Sequence, residues 1–402
     1  MPVLIALCLT LLPLICHKPD VSITNAIVEL LYLFLFLPIQ MGSYFLHLSY
    51  EDYSILPYLI IISIAQCFFF FITQGNNKTE SFTDNNEPPL QDKTFFCILL
   101  ITAFIMLYVL TGVRFSLSFN TLAEASSARF DQNRVVSTGA WGTGYLVCWL
   151  SAFFLPTILV FGLYTKGKIY IALSLIGTII LYGINTMKIE LFIPFFIVSQ
   201  YIILNNEKIR LYRIQINAIA LALIITILIP IESIAAVLDI KSIILQRTLA
   251  QPGLLFSEYI NFFKDNPYTY YSHINVINLL FNYYPYGDYS IGQMVHGGDS
   301  NSCAGFFAFD GIAAGGIWGL VFICFVFSLY LLVLKAIDNK HLHSLRKKSF
   351  FILITLPSTI ALCNSSFFTY LLSRGIFLII FLIFLDNSLK KSKPELSQGN
   401  QV

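Results

Sequence analysis

FFAFDGIAAGGIWGLVFICFVFSLYLLVL, at residues 306–334, is the stretch of sequence that decides the fold of this chain. Asp310 is the only charged side chain in it. A helix needs roughly 20 apolar residues to cross about 30 Å of hydrocarbon. Inside lipid its backbone must satisfy its own hydrogen bonds. The stretch therefore predicts a helix that spans a membrane.

The composition extends this prediction to the whole chain. Of the 402 residues, 57% are hydrophobic and only 11% are charged, whereas roughly a quarter of the residues in an average soluble domain are charged. So few charges cannot cover a globular surface, so lipid must be the main solvent. We predict an all-α polytopic membrane protein. The net charge of +2 gives no reason to expect a nucleic-acid partner.

Comparable apolar runs recur along the chain and predict about 10–11 transmembrane helices. The runs lie at 2–16, 26–48, 55–73, 94–113, 137–164, 169–187, 189–204, 214–238, 306–334, 350–372 and 375–386. The first run lacks a basic start and a cleavage site, which favours a membrane helix over a signal peptide. The predicted parts are N-terminal helices 1–238, a large loop 239–305, C-terminal helices 306–386 and a tail 387–402.

Lysine and arginine are divided unevenly between the predicted loops. Most of the 24 basic residues fall on one side, which the positive-inside rule makes cytoplasmic. The loops 114–136 and 239–305 then face outward, and the tail faces inward. The outer loop 239–305 is the largest, and we expect interfacial helices within it.

On the predicted outer face arginine outnumbers lysine, although lysine dominates the inner face. A topogenic charge needs only a cation, whereas the planar arginine fork binds phosphate oxygens bidentately. These arginines therefore indicate either a phosphate or carboxylate ligand, or ion pairs with acidic neighbours such as Glu124, Asp131 and Glu232. The arginines concerned are Arg114, Arg129, Arg134, Arg247 and Arg374.

Two of these arginines precede a glycine-rich stretch. Arg129 and Arg134 lie before Gly139, Gly142 and Gly144, and glycines let a backbone approach a ligand or another helix closely. One interpretation is an anion clamp at the outer interface. The other is an interfacial arginine belt with glycine-mediated helix packing.

Tyrosines crowd the second half of the loop 239–305. Flat aromatic faces cover the apolar faces of sugars, but tyrosines also line membrane interfaces in general. Both interpretations stay open from the residues alone. Under the first, the glycan-binding residues are Tyr270, Tyr271, Tyr283 and Tyr284. The spacing of polar and apolar positions over 273–282 predicts a helix that lies in the interface.

Three residues are candidates for acid–base chemistry. His296 lies between a valine and two glycines in the outer loop, where loop residues often carry function. Asp310 lies at the predicted outer start of its helix, where a carboxylate either caps the helix or acts chemically. Glu190 follows Lys188 at a short outer turn, where it is either neutralised or an acid or base.

The eight cysteines show no metal-ligand spacing, and we predict no metal site.

The chain resembles the Wzy family, the bacterial O-antigen or oligosaccharide repeat-unit polymerases. The number of spans, the one dominant outer loop late in the chain and the run from Asn301 to Gly319, with DG followed by GGIWG, carry this resemblance. It covers nearly the whole chain as an architecture.

A second likeness lies in the outer loops. In some members of that family an outer-loop arginine is followed along the loop by a glycine, and Arg129 with Gly139 is similar. Arg134 with Gly144 repeats the spacing. Arg247 departs from it, because its next glycine, Gly253, is too near.

The resemblance implies a metal-independent, cofactor-free glycosyltransferase of the GT-C membrane type. Such an enzyme would join undecaprenyl-pyrophosphate-linked oligosaccharide repeat units at the periplasmic face of the bacterial inner membrane. Its partners would be that lipid-linked substrate, membrane lipids and a chain-length regulator protein. The implied diphosphate ligands are Arg129, Arg134 and Arg247, with His296, Asp310 or Glu190 near the acceptor.

Two other functions stay open at this point. An O-antigen ligase has the same general architecture and lipid carrier but transfers to lipid A-core. A lipid-linked oligosaccharide flippase, which is not an enzyme, would have more evenly spaced spans and short loops. The size of the loop 239–305 counts against the flippase.

Overall fold

The computed structural model describes residues 2–50, 52–75, 90–112, 142–185, 187, 189–228, 250–295 and 306–391. Within these ranges all regular structure is helical. Among the described residues, seven helices are long and apolar enough to cross a membrane, or eight if the bent pair Phe367–Ser373 and Ile376–Ser388 forms one span. The predicted class, an all-α polytopic membrane protein, is therefore confirmed, while the higher count of about 10–11 spans stays a prediction.

Over the residues described, each predicted apolar run coincides with one helix, except that the run 350–372 is divided between Leu345–Leu362 and Phe367–Ser373. In chain order the helices are α1 Pro2–Cys16, α2 Ile23–Leu46, α3 Leu56–Thr73, α4 Asp92–Gly112, α5 Thr143–Thr165, α6 Lys168–Asn185, α7 Ile189–Asn205, α8 Arg213–Leu228, α9 Gln251–Asp265, α10 Asn275–Phe281, α11 Ile291–Val295, α12 Phe307–His341, α13 Leu345–Leu362, α14 Phe367–Ser373 and α15 Ile376–Lys391.

Two of the long helices are locally widened next to a proline. In α2 the π-helical turn Tyr32–Phe36 comes just before Pro38. In α5 the π-helical turn Leu150–Phe154 comes just before Pro156. Proline removes a backbone donor and its ring crowds the preceding turn. A single wider turn accommodates that interruption, so both helices continue past the proline.

The chain folds as two compact units. The first contains Met1–Asn77, Ile203–Ala336 and Thr359–Tyr370, and the second contains Lys78–Ile202, Ile337–Ser358 and Leu371–Val402. Each unit holds polar side chains inside an apolar core, where charged groups are costly unless they are paired.

In the first unit, α9 packs directly on α2. A methyl group added to Gly42 would lie 2.6 Å from the Cα of Gly253, and one added to Gly253 would lie 2.6 Å from the Cα of Gly42. The two backbones are therefore in contact, and Phe256 and Tyr259 of α9 are fully buried. This part of the loop 239–305 belongs to the packed helical core.

Buried ion pairs hold each unit together. In the first unit the Arg213 Nε donates to Glu29 Oε2 at 2.6 Å, and His17 Nε2 lies 3.1 Å from Oε1 of the same carboxylate. In the second unit the Lys347 Nζ donates to Asp386 Oδ2 at 2.6 Å. Both pairs join segments that are far apart in the sequence, so removing one partner would leave a buried charge uncompensated.

The helix predicted over 306–334 is broken, which corrects the expectation of one straight span. The backbone leaves the helical conformation at Gly315 and at Gly316, where φ is +59°. Residues on either side of the break then meet: a methyl on Gly311 would lie 3.0 Å from the Cα of Leu320. In a straight helix these positions would be roughly 13 Å apart. The arm before the break therefore folds back along the arm that follows it.

Candidate functional site

The broken helix α12 offers backbone acceptors that a continuous helix would use internally. The carbonyls of Ala313 and Ala314, just before the break, accept hydrogen bonds from the backbone N–H groups of Thr269 at 2.9 Å and Tyr270 at 3.0 Å. Helix ends leave such carbonyls without an internal partner. The segment that follows α9 is thus fastened to the break.

Asp310 lies on the arm that folds back and is fully buried. Its Oδ1 accepts a hydrogen bond from the Ser366 Oγ at 2.7 Å, and its Oδ2 accepts one from the Phe367 backbone N–H at 2.6 Å. A carboxylate at the first turn of a helix satisfies free N–H groups. Asp310 therefore caps α14 rather than its own helix, and the chemical role that the sequence also left open stays a prediction.

His273 faces Asp310 from the segment fastened to the break. The His273 side chain is only 2% exposed, and its Nε2 lies 3.8 Å from Asp310 Oδ1. This distance is too long for a hydrogen bond, and Nε2 has no hydrogen-bond partner among the described residues. The two groups form a buried pair with one nitrogen left free.

Thr269 determines where the imidazole carries its proton. The Thr269 hydroxyl donates to the Ala313 carbonyl at 2.9 Å, because a carbonyl can only accept. His273 Nδ1 lies 2.7 Å from the same hydroxyl oxygen and must therefore be the donor. The neutral ring thus keeps its lone pair on Nε2, the nitrogen directed toward Asp310.

Aromatic residues of the same segment line an open cavity of about 660 Å³. The described residues that line it are Tyr270, Tyr271, Ser272, Ile277, Phe281 and Tyr283. Three of the four tyrosines predicted to bind glycan therefore converge on one space. Helix α10 supplies Ile277 and Phe281 and occupies most of the predicted interfacial helix over 273–282.

Tyr284, the fourth predicted tyrosine, lies outside this lining. Its hydroxyl donates to the Tyr289 carbonyl at 2.8 Å, and its ring packs edge-on against Tyr286 at 5.7 Å. Burial raises the pKa of Tyr284 to about 12. The contacts of this residue are those of a side chain that holds the loop together.

Tyr271 connects the cavity with the buried pair. Its ring centroid lies 6.0 Å from that of His273 and 5.6 Å from that of Phe322. Burial raises the pKa of the Tyr271 hydroxyl well above its usual value, and the neighbouring Asp310 charge raises it further. The phenol is therefore uncharged at physiological pH.

Glu190, the third predicted acid–base residue, lies in the other unit. It is buried, and its carboxylate accepts hydrogen bonds from the Ser151 Oγ at 2.6 Å and the Asn185 Nδ2 at 3.2 Å. In the same unit the Arg374 Nη1 lies 3.8 Å from the Cys148 Sγ. Glu190 has a polar environment of its own, with no tyrosine-lined cavity described beside it.

The predicted clamp and one predicted acid–base residue fall outside the described residues. These are Arg129, Arg134, Arg247 and His296. Their roles stay predictions. Over the ranges that the structure describes, no three His, Cys, Asp or Glu side chains are grouped closely enough to hold a metal ion.

Sequence reasoning missed the importance of His273 and Thr269. A histidine near an interface is usually structural, and no pattern in the sequence distinguishes this one. The spacing from Thr269 to His273 would have put both on one side of a helix, but these residues form a turn. Only the folded arm of α12 brings Asp310 to them.

The fold and site define the class of this chain as an all-helical, multi-pass membrane protein with a buried His–Asp pair beside an aromatic cavity. The chain matches no protein-family model, no curated protein and no solved structure.

Proposed function

We propose that this protein is a membrane-embedded glycosyltransferase that polymerises lipid-linked oligosaccharide repeat units. The units would be carried on undecaprenyl pyrophosphate and joined at the periplasmic face of the bacterial inner membrane. The observation that supports this proposal best is the tyrosine-lined cavity beside the His273–Asp310 pair. Both lie in or against the segment that the positive-inside rule predicts to face away from the cytoplasm.

The cavity has the character of a sugar site. Its volume of about 660 Å³ falls in the range of roughly 300–1,000 Å³ that is usual for small-ligand pockets. Its described lining is aromatic, aliphatic and hydroxyl-bearing, without a charged side chain. Such walls suit the apolar faces and hydroxyl edges of an uncharged sugar.

The chemistry requires a proton acceptor and a stabilised leaving group. A hydroxyl oxygen of the acceptor sugar attacks the anomeric carbon of the donor, and the bond from that carbon to the pyrophosphate oxygen breaks. The bonding electron pair leaves with the lipid pyrophosphate, and the hydroxyl proton passes to a base. His273 Nε2 is the base in this proposal, and Asp310 stabilises the imidazolium that forms.

The leaving pyrophosphate needs fixed positive charge. In the proposal Arg129, Arg134 and Arg247 supply it, because guanidinium groups directed at developing charge lower the barrier without a metal ion. Membrane lipids surround the enzyme, and a chain-length regulator protein would be its partner. Glu190 and His296 remain alternative proton acceptors.

A deletion strain examined for its surface polysaccharide tests the proposed function. We expect lipid A-core that carries a single repeat unit, because ligation continues while polymerisation stops. Long chains that survive the deletion would refute the proposal. Core without any sugar, together with lipid-linked polymer, would indicate the ligase. Repeat units stranded inside the cell would indicate the flippase.

A further inference from the structure

The His273–Asp310 pair lies beside the cavity, but His273 Nε2 is not accessible from the cavity in this structure. The His273 side chain is 2% exposed and its Nε2 is inaccessible, whereas the cavity beside it is open and has a volume of about 660 Å³. A base that serves a ligand in the cavity must be reached from it. Some side chain must therefore move.

Tyr271 occupies the position between them. It lines the cavity, and its ring also packs against the His273 ring at a centroid distance of 6.0 Å. The ring also packs against Phe322 and Phe368, at centroid distances of 5.6 Å and 6.0 Å. The phenol thus closes the cavity wall toward the pair.

The closed position of Tyr271 is unfavourable in two independent ways. Its hydroxyl is buried without a hydrogen-bond partner among the described residues, and such a hydroxyl loses its bonds to water without replacement. The backbone has a left-handed conformation at both Tyr270, with φ of +46°, and Tyr271, with φ of +65°. Residues with a Cβ rarely adopt it.

We propose that the Tyr271 ring is a closure between the cavity and the His273–Asp310 pair, and that the ring moves aside when a ligand occupies the cavity. Moving out of the wall gives the phenol hydroxyl access to water or to a sugar hydroxyl. Tyr271 is a positioning residue here, and its role rests on the proposed function only in that the ligand is a saccharide.

Chemical labelling of histidine tests the closure without any assay of activity. Diethyl pyrocarbonate modifies accessible imidazole nitrogens, and peptide mass spectrometry measures each histidine in the full-length protein in lipid nanodiscs. We expect His273 to react at least about tenfold more slowly than the exposed His343, and Tyr271→Ala to raise its rate by about tenfold. Tyr271→Phe keeps the ring and should leave His273 protected.

The chain provides internal controls for this experiment. The side chains of His17 and His47 are 5% and 7% exposed, so they should stay protected in every folded variant. If Tyr271→Ala exposes them as well, Tyr271→Leu replaces it, because leucine keeps more of the apolar contact. Three results would each overturn the closure: a wild-type His273 as reactive as His343, a folded small-side-chain variant that leaves His273 protected, or exposure by Tyr271→Phe. The deletion strain reports on the proposed function separately, so either proposal can fail alone.

Discussion

The Nε2 atom of His273 lies 3.8 Å from the Oδ1 atom of Asp310, although one residue belongs to a turn and the other to a helix arm folded back on itself. The pair is fixed from both ends. Thr269 fixes the imidazole through Nδ1, and Ser366 with the Phe367 backbone fixes the carboxylate. Such fixed geometry is what acid–base chemistry requires.

Removing the imidazole should abolish most of the activity. For His273→Gln we expect repeat-unit polymerisation to fall about 10²- to 10⁴-fold, the usual contribution of a general base. The measurement is the polysaccharide ladder of a deletion strain that carries the variant, at matched protein level. His343→Gln, at an exposed position, is the control and should be neutral. A full ladder from His273→Gln would exclude His273 as the base.

Changing Thr269 separates orientation of the imidazole from packing. Thr269→Val keeps the shape of the side chain but leaves His273 Nδ1 and the Ala313 carbonyl without their hydroxyl partner, so we expect about a tenfold loss of polymerisation. Thr269→Ser keeps the hydroxyl and should restore most of the ladder. The pH profile of initial rate in membranes is the second readout, and it should change in Thr269→Val alone. Equal ladders and profiles for the two variants would show that the hydroxyl does not position the ring.

The turn at the helix break should depend on one glycine and not on its neighbour. At Gly316, φ is +59° and an added methyl would lie 2.6 Å from the Tyr268 hydroxyl oxygen. Gly316→Ala should therefore cost about 1–3 kcal/mol and lower the thermal unfolding midpoint in detergent. Gly315→Ala is the matched control, because φ is −174° there and an added methyl meets nothing within 4 Å. Equal midpoints for the two variants would contradict this account of the break.

The contact between α2 and α9 should tolerate no side chain. Gly253→Ala places a methyl 2.6 Å from the Cα of Gly42 and 2.7 Å from the Pro38 carbonyl oxygen. Separating two backbones costs about 1–3 kcal/mol in a packed core, which the same thermal assay detects. Leu254→Ala, next to it but 41% exposed, should change the midpoint much less. If the two variants prove equally stable, the helices do not depend on this close approach.

The predicted binding of pyrophosphate by Arg129 and Arg134 is tested by variants that keep the positive charge and remove the guanidinium group. Arg129→Lys or Arg134→Lys should each reduce polymerisation by about tenfold or more, because lysine cannot bind a phosphate bidentately. Arg210→Lys is the control, since Arg210 already pairs with the exposed Glu207 at 3.3 Å. Normal polymerisation by both clamp variants would rule out bidentate binding at these positions.

The class of fold could be predicted from the sequence because it follows from composition and run length. The helices fall where the apolar runs are, and the tyrosines that converge on the cavity come from one short segment. For Asp310 the sequence left open a cap on its own helix or a chemical role, and the structure shows a buried carboxylate that caps α14. Its partner could not be predicted, because the nearest free N–H groups along the chain are those of its own helix.

The His273–Asp310 pair could not be predicted because it depends on the break at which helix α12 changes direction. The backbone leaves the helical conformation at Gly315 and at Gly316, where φ is positive, and this break turns the arm back and brings Asp310 to His273. The hydrogen bonds of Glu190 could not be predicted from the sequence either. From the sequence Glu190 was either neutralised at an outer turn or an acid or base, and nothing there predicted the hydrogen bonds that its buried carboxylate accepts from Ser151 and Asn185.

The bonds from Ser366 and Phe367 to Asp310 also impose an order on biosynthesis. The ribosome delivers Asp310 to the bilayer well before it makes either partner, and an unpartnered carboxylate in lipid is costly. Until α14 has been made, the Asp310 side chain must therefore stay in water or carry a proton. The hydrogen bonds that Asp310 accepts from Ser366 and Phe367 are then among the last contacts of this unit to form as the chain is made.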